Sequence, residues 1–414
     1  MNDAEAKIGQ LMQEIDRLKE ALEASKPPPT PQSLAGQFAE QRGLAFEPPP
    51  EWKPVPLETI LEKTQQQVAE NLPESDAQLR QRAAVAMGFH SEPFAYLPAV
   101  VSLAQMTNGG IFEPETRTFF YREEASLARA DGREAFIGGL SAALTLQKGG
   151  GPAKIYNQPN DDAALALRSL MGGDANASRV RFSIADQMNL NFERSGAPAI
   201  PPPNYSAPVY LAEIWKFSQD KGSLFVEALS QMGGNAAVDA AYSRPPQSSA
   251  EILHPEELYL ATPPFEPVPV EFPNPEVGGQ TPYFTNVAGE LGTYIVLRSW
   301  LTVDEATMAS EGWAGDRYAV WEGPEGIGDH FAWKSVWRTE QDAREAFDQM
   351  RRVAMQRFSI PWRREYDQSK DQFEVNDPQR IIRLKLSPDS KSVLLTHATD
   401  PDFAAALEAA SAAW

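Results

Sequence analysis

Four histidines, His90, His254, His330 and His397, and no cysteine stand in a chain of 414 residues. Thiolate catalysis, thiolate metal sites and disulfides are therefore excluded, and any imidazole site must draw on those four. No two of them are spaced as ligands on one helix or strand. His90, in "MGFHSEP", closes a helical stretch, an ordinary place for an imidazole. His254, in "ILHPEELY", reads as a tie on a loop, and His330 and His397 fall beside "GD" and "LT" in the last third. Carboxylates are the other groups able to do acid–base work. Glu123, Glu124, Asp131 and Glu134 crowd between a hairpin signal and a helix, where charges read first as a solvated face. Paired-carboxylate chemistry needs a separation in space that sequence spacing does not supply. The serines of "RSGAPAIPPPNYSAP" come without a nucleophile-elbow phrase or an accompanying histidine.

Charge narrows the partners. With 37 Lys and Arg against 57 Asp and Glu, the net charge of −20 repels a phosphate backbone or an anionic lipid surface, so nucleic acid and membrane surfaces are set aside. No stretch approaches the roughly eighteen apolar residues that span a bilayer, so no membrane span is expected. The start "MNDAEAKIGQ" lacks a basic-then-apolar leader. The expected compartment is the cytoplasm, or the periplasm or exterior if a leader was removed before Met1.

The elements that would position a site follow from periodicity. Ile8, Leu11, Ile15, Leu18 and Leu22 alternate steps of three and four, which predicts an amphipathic, coiled-coil-like helix over 1–25. That stripe can self-associate or dock on its own chain; fewer than three heptads leave both open. The proline tracts "SKPPPTPQS" and "FEPPPEWKPVP" predict a semi-rigid spacer over 26–56, since proline lacks an amide hydrogen and biases the residue before it away from helix. From Leu57 to Met87 the pattern is helical, broken near "NLPES", where Ser75 or Asp76 could cap the next helix. "YLPAVVSLAQMTNGG" reads as a helix and "IFEPETRTFFY" as a hairpin. In "REAFIGGLSAALTLQ" the residues Phe136, Ile137, Leu140 and Leu144 fall on one helical face, which by itself is a core helix. A helix is predicted from Asp161 to Met188, with Gly172 and Gly173 oddly inside it, because a helix-interior glycine costs about 1 kcal/mol against alanine. A helical pair spans Val209 to Leu258. The last part mixes the strands "RYAVWEG" and "HFAWKSVWR" with the helices "EQDAREAFDQMRRVAM" and "PDFAAALEAASAA". The domain division expected is a main region over 57–280 and an α/β part of the same domain over 281–414.

The order of these segments resembles a family of bacterial HExxH zinc metallopeptidases, over roughly Gly88 to Phe358. "NGGIFEPETRTFFY" is similar to that family's "GFYDPET" hairpin, which leads into its "HE..HALQDQ" helix. "ALALRSLMGGDANASRVRF" resembles its following helix, with an "EGDA" phrase. "GSLFVEALSQMGGNAAVDAAYSRPPQSSAEILHPEELY" is similar to "FV..L...GGW..V..A...PP.STEQILHPEKY". "GELGTYIVLRSWL", "GWAGDRYAVWEG" and "WRTEQDAREAF" resemble its closing phrases. The fold the resemblance implies is α+β, helix-rich, with a zincin-like core.

Setting "LTLQ" against "HALQ" puts Leu140 and Leu144 where the zinc-binding histidines would stand, and Ser141 where the general-base glutamate would stand. "MGGDA" against "EGDA" puts Gly172 in place of the third ligand, a glutamate. Two imidazoles four apart on a helix hold zinc, and the intervening glutamate takes a proton from the bound water. Leucine offers no lone pair and glycine no side chain. The resemblance thus implies a pseudoenzyme: no zinc or other cofactor, no catalytic residue, and a binding or scaffolding role toward a protein or peptide partner, through the old substrate groove or the N-terminal helix. The alternatives are a hydrolase with a relocated metal site and a structural assembly subunit.

Overall fold

The computed structural model describes residues 28–189, 207–273, 275–325, 327–361, 370–377 and 380–412, together with Lys7, residues 12–15 and Arg17. Of the N-terminal stripe, Ile15 is helical and half exposed, whereas Ile8, Leu11, Leu18 and Leu22 lie outside the described residues.

The spacer expected over 26–56 is folded structure from its first proline tract onward. Helix α1, Pro31–Arg42, starts inside that tract because Thr30 and Ser33 cap each other reciprocally, each side chain accepting the other's amide. Pro31 occupies the first helical position, where no amide hydrogen is needed. Leu34 and Phe38 are buried. Strand β1, Glu51–Val55, carries Pro54 but lies at the edge of a three-stranded sheet ordered β1-β3-β2, where a missing ladder donor is tolerated. The prolines mark starts and edges of elements rather than a free tether.

Helices α2, Leu57–Asn71, and α3, Glu74–Met87, follow. Pro73 is the cap residue of α3, with no side-chain cap, and both Ser75 and Asp76 fall inside its first turn rather than capping it. After α4, Tyr96–Ala104, the expected hairpin forms: β2, Gly110–Glu113, pairs antiparallel with β3, Thr118–Arg122, and β3 pairs parallel with β1 from Glu51↔Thr118 to Val55↔Arg122. The hairpin feeds α5, Ala130–Lys148, then a short α6, Pro152–Tyr156, and the long α7, Asp161–Asn189. Helix α8, Val209–Ser243, is kinked at Gly233 and Gly234, and α9, Ser249–Leu253, runs into a π-turn at Pro255–Tyr259. The odd Gly173 has a packing reason. A Cβ there would stand 2.1 Å from the Gly222 carbonyl oxygen, so α7 and α8 cross backbone against backbone.

The remainder is β4, Phe284–Asn286; α10, Gly289–Arg298; α11, Val303–Ser310; β5, Trp313–Trp321; β6, His330–Trp337; α12, Glu340–Arg357; β7, Gln372–Asp377; β8, Arg380–Leu386; β9, Ser392–Ala398; and α13, Pro401–Ser411. The six strands form an antiparallel sheet ordered β4-β5-β6-β9-β8-β7. Alternation along β6 sends Phe331, Trp333 and Trp337 to one face, with Phe347 and Met350 of α12, and Ala332 to the other, with Phe403 and Leu407 of α13. The first of these clusters continues into Met87 of α3 and Val296 and Leu297 of α10, so the sheet and the helical part share one core. The molecule is α+β and helix-rich, as the sequence leads one to expect. Among the described residues no helix is long and apolar enough to cross a membrane.

Candidate functional site

Helices α5 and α7 wall a cavity of about 1630 Å³, closed further by α4, α8 and the segment before α10. The face that α5 turns to it is set by its periodicity. Phe136, Ile137, Leu140 and Leu144 pack with Leu34, Phe38 and Phe119, and Leu140 and Leu144 are only 0 % and 4 % exposed. Gly138 and Ala142 face the cavity instead, while Ser141 and Thr145, each 1 % exposed, border it from within the helix packing. The two positions matched to zinc-binding histidines therefore point into the core, away from the open space.

Ser141 does line the cavity, but its hydroxyl donates to the Gly138 carbonyl at 3.1 Å, and Thr145 donates to the Ser141 carbonyl at 3.0 Å. Both hydroxyls are turned back on their own helix. Gly172 faces the same space from α7. A Cβ there would lie 2.7 Å from Gln219 Nε2 and 3.0 Å from the Ser218 carbonyl oxygen, so a side chain of α8 occupies the room a glutamate would need. Among the described residues no three His, Asp or Glu side chains converge as a metal site would require.

The carboxylates before α5 are dispersed onto separate partners. Asp131 takes Arg129 at 3.0 Å, Glu134 takes Arg179, and Glu124 accepts the Leu57 amide at 3.2 Å, while Glu123 is exposed. The histidines do not meet either. His90 lies edge-on to Phe94 with centroids 5.2 Å apart. His254 Nε2 sits 2.7 Å from Glu290, which raises the imidazole's pKa and ties α9 to α10. His330 stacks on Phe403 and accepts the Thr399 amide through Nδ1 at 3.0 Å; burial lowers its pKa. His397 stacks on Phe358, and burial pushes its pKa down to about 3.

What sequence reasoning missed are two closed polar knots and one open cation. The first knot gathers on Asp174, which follows the double glycine. Arg42, at the end of α1, grips it with Nε and a terminal nitrogen, both at 2.7 Å, and also reaches Asp239 at 2.8 Å. Tyr242 and Ser178 add donors at 2.9 and 3.2 Å, and Lys148 neutralises Asp239 at 3.0 Å. The second knot surrounds the start of α10. The Asp316 carboxylate accepts from the Ala288 and Gly289 amides and from the indoles of Trp313 and Trp333, all at 2.9–3.0 Å. Burial nonetheless pushes its pKa up to about 6. Buried Asp162 accepts the Ser249 amide at 3.1 Å, and Ser249 in turn accepts the Leu291 amide. Gly289, at φ +72°, has no room for a side chain: its Cβ would stand 2.0 Å from Asp162.

The open cation is Arg168, on the cavity face of α7 and one turn before Gly172. It has no hydrogen-bond or ion-pair partner among the described residues. One signal in the sequence could have found it: "AALALRSLM" is an apolar helical run broken by a single charge.

Comparison with known proteins adds one fact. Residues 280–408, which carry β4 through most of α13, match the family model of a domain of unknown function (DUF8575). No curated protein and no solved structure matches the chain.

Proposed function

We propose that this chain is a non-catalytic protein with a metallopeptidase-like, zincin-like core, acting as a binding module that takes a segment of polypeptide into the cavity between α5 and α7. The observation that carries this reading is the make-up of that wall. A hairpin, a helix and a second long helix follow in the order of the resemblance and enclose about 1630 Å³, yet positions 141 and 172 offer a hydroxyl turned onto its own helix and a glycine. A large, partly apolar concavity with dispersed titratable groups suits recognition better than proton transfer.

The test has two arms. An array of 12-residue peptides is expected to yield binders for the intact chain, and Ala142→Trp, which fills the cavity from α5, is expected to weaken them by about tenfold or more. An array without binders, or binding indifferent to Ala142→Trp, overturns the reading. In the second arm, the combined change Leu140→His, Leu144→His and Gly172→Glu is expected to lower stability without capturing zinc, because the two imidazoles would enter the core. Stoichiometric zinc in the unaltered protein after dialysis, lost on changing a histidine, would instead favour a hydrolase with a relocated site.

A further inference from the structure

The cavity's polar atoms narrow its occupant, on the premise of the reading above that it is a binding site. In a chain with twenty more acidic than basic side chains, an arginine without a carboxylate is unexpected. The other cations of the wall are engaged. Arg80 holds Asp161 through both carboxylate oxygens at 2.6 and 2.5 Å, Arg179 pairs with Glu134 and Asn176, and Arg122 donates to Asn108. The nearby acids are engaged too: Asp161 is held by Arg80, Asp131 by Arg129, and Asp220 lies 3.8 Å from Lys216. Arg168 alone among these guanidiniums presents its donors to open space, within electrostatic reach of Tyr96. A planar guanidinium with a fork of N–H groups matches a carboxylate in two parallel hydrogen bonds.

Unused amide groups supply the second observation. Asn108 and Asn160 spend their oxygens on Arg122 and on the Ala163 amide, which leaves their NH₂ groups unclaimed within the described residues. Gln158 spends its NH₂ on the Lys154 carbonyl and keeps its oxygen, and the Gln147 side chain makes no hydrogen bond among the described residues. Donors and acceptors thus stand together along one cavity, with Tyr96, Tyr156 and Trp215 offering apolar faces between them. A peptide backbone carries one donor and one acceptor per residue and uses both kinds; an acyl chain uses neither.

We propose that Arg168 is a carboxylate anchor, and that a polypeptide lies in the cavity with a carboxylate, its C-terminal one or an acidic side chain, on the Arg168 guanidinium while Asn108, Gln147, Gln158 and Asn160 hydrogen-bond its backbone. The probe is a fluorescein-labelled octapeptide of alternating phenylalanine and glutamine, followed by anisotropy on the full chain. It is used as the free acid, as the C-terminal amide, and as the amide with one internal glutamate. The free acid or the glutamate amide is expected to bind about tenfold tighter than the plain amide, as a charge-assisted pair allows. Whichever of the two is preferred identifies the carboxylate as terminal or side-chain. Arg168→Gln is expected to erase the preference and Arg168→Lys to keep part of it, with the melting temperature of each variant confirming an intact fold. Binding of both the free acid and the glutamate amide no tighter than that of the plain amide by the unaltered chain, or a preference that survives in Arg168→Gln, overturns the anchor while leaving the cavity a binding site. Refusal of all three peptides overturns both, and dodecanoate bound where the peptides are refused overturns the polypeptide assignment.

Discussion

The two faces of α7 follow different rules. On one, Asp174 is 1 % exposed and surrounded by donors from Arg42, Ser178 and Tyr242; on the other, Arg168 meets a cavity and no partner among the described residues. The start of α10 is built like the first face, with four donors converging on Asp316. Burying a charge is costly unless it is paired and hydrogen-bonded, so a closed knot is the arrangement a polar group needs inside a protein. A half-buried cation on a cavity escapes that requirement because water, or a ligand, can reach it. The contrast separates polar groups that hold the molecule together from those left over for another molecule.

Breaking the closed face is expected to do the most harm. Asp174→Ala leaves the buried Arg42 with Asp239 alone and the Tyr242 hydroxyl without its acceptor, and is expected to cost about 3–5 kcal/mol in urea unfolding. A loss under about 1 kcal/mol would mean that α1 contributes little and that the face is not closed in solution. Next comes the core side of α5, where Leu140→Ala is expected to cost about 2–5 kcal/mol. A neutral result there would place Leu140 on an open surface.

The α10 knot sharpens the comparison through pH. The Asp316 carboxyl titrates near 6 in the folded chain against an ordinary 3.8, so the native state holds its proton to higher pH than the unfolded chain does. Its contribution is present below about pH 4 and lost as pH rises through about 6, a change of about 3 kcal/mol. Asp162 and Glu290, both raised by burial, act in the same direction. Stability of the unaltered chain should therefore fall more steeply between pH 4 and 6 than that of Asp316→Asn, and equal slopes would remove Asp316 as the source. The smallest effect belongs to the cavity side of α5. Ser141 is buried but spends its hydroxyl on its own helix, so Ser141→Ala is expected to cost less than about 1 kcal/mol. A loss of several kcal/mol would show that this wall is closed as well.

Local signals carried much of this into view from sequence. The "EPET" turn between aromatic runs marks β2 and β3, and the three- and four-residue steps mark α5 and α12, because each rests on neighbours in the chain. Helix α1 was masked by the prolines around it; the capping pair Thr30 and Ser33 was the local signal that outweighed them. Strand β1 is not legible in sequence because it pairs with β3, whose nearest paired residue is far along the chain. The Gly172–Gly173 pair was visible as an oddity, but its cause, Gly222, sits on another helix. The site was legible as a helix pair with unusual residues. Which face of α5 would meet the cavity was not, since helical periodicity gives the face but not what lies opposite.

The reach of Arg42 bears on how the chain comes to be folded. Its two carboxylate partners lie 132 and 197 residues further on. As the chain leaves the ribosome, α1 appears before α7 and α8, so its guanidinium has nothing to hold until both have been made. Long-separated contacts are slow to close, and a segment waiting for them exposes its apolar side chains, here Leu34 and Phe38. The docking of α1 thus waits on segments made after it, and during that interval the nascent chain is exposed to aggregation or to a chaperone's grasp.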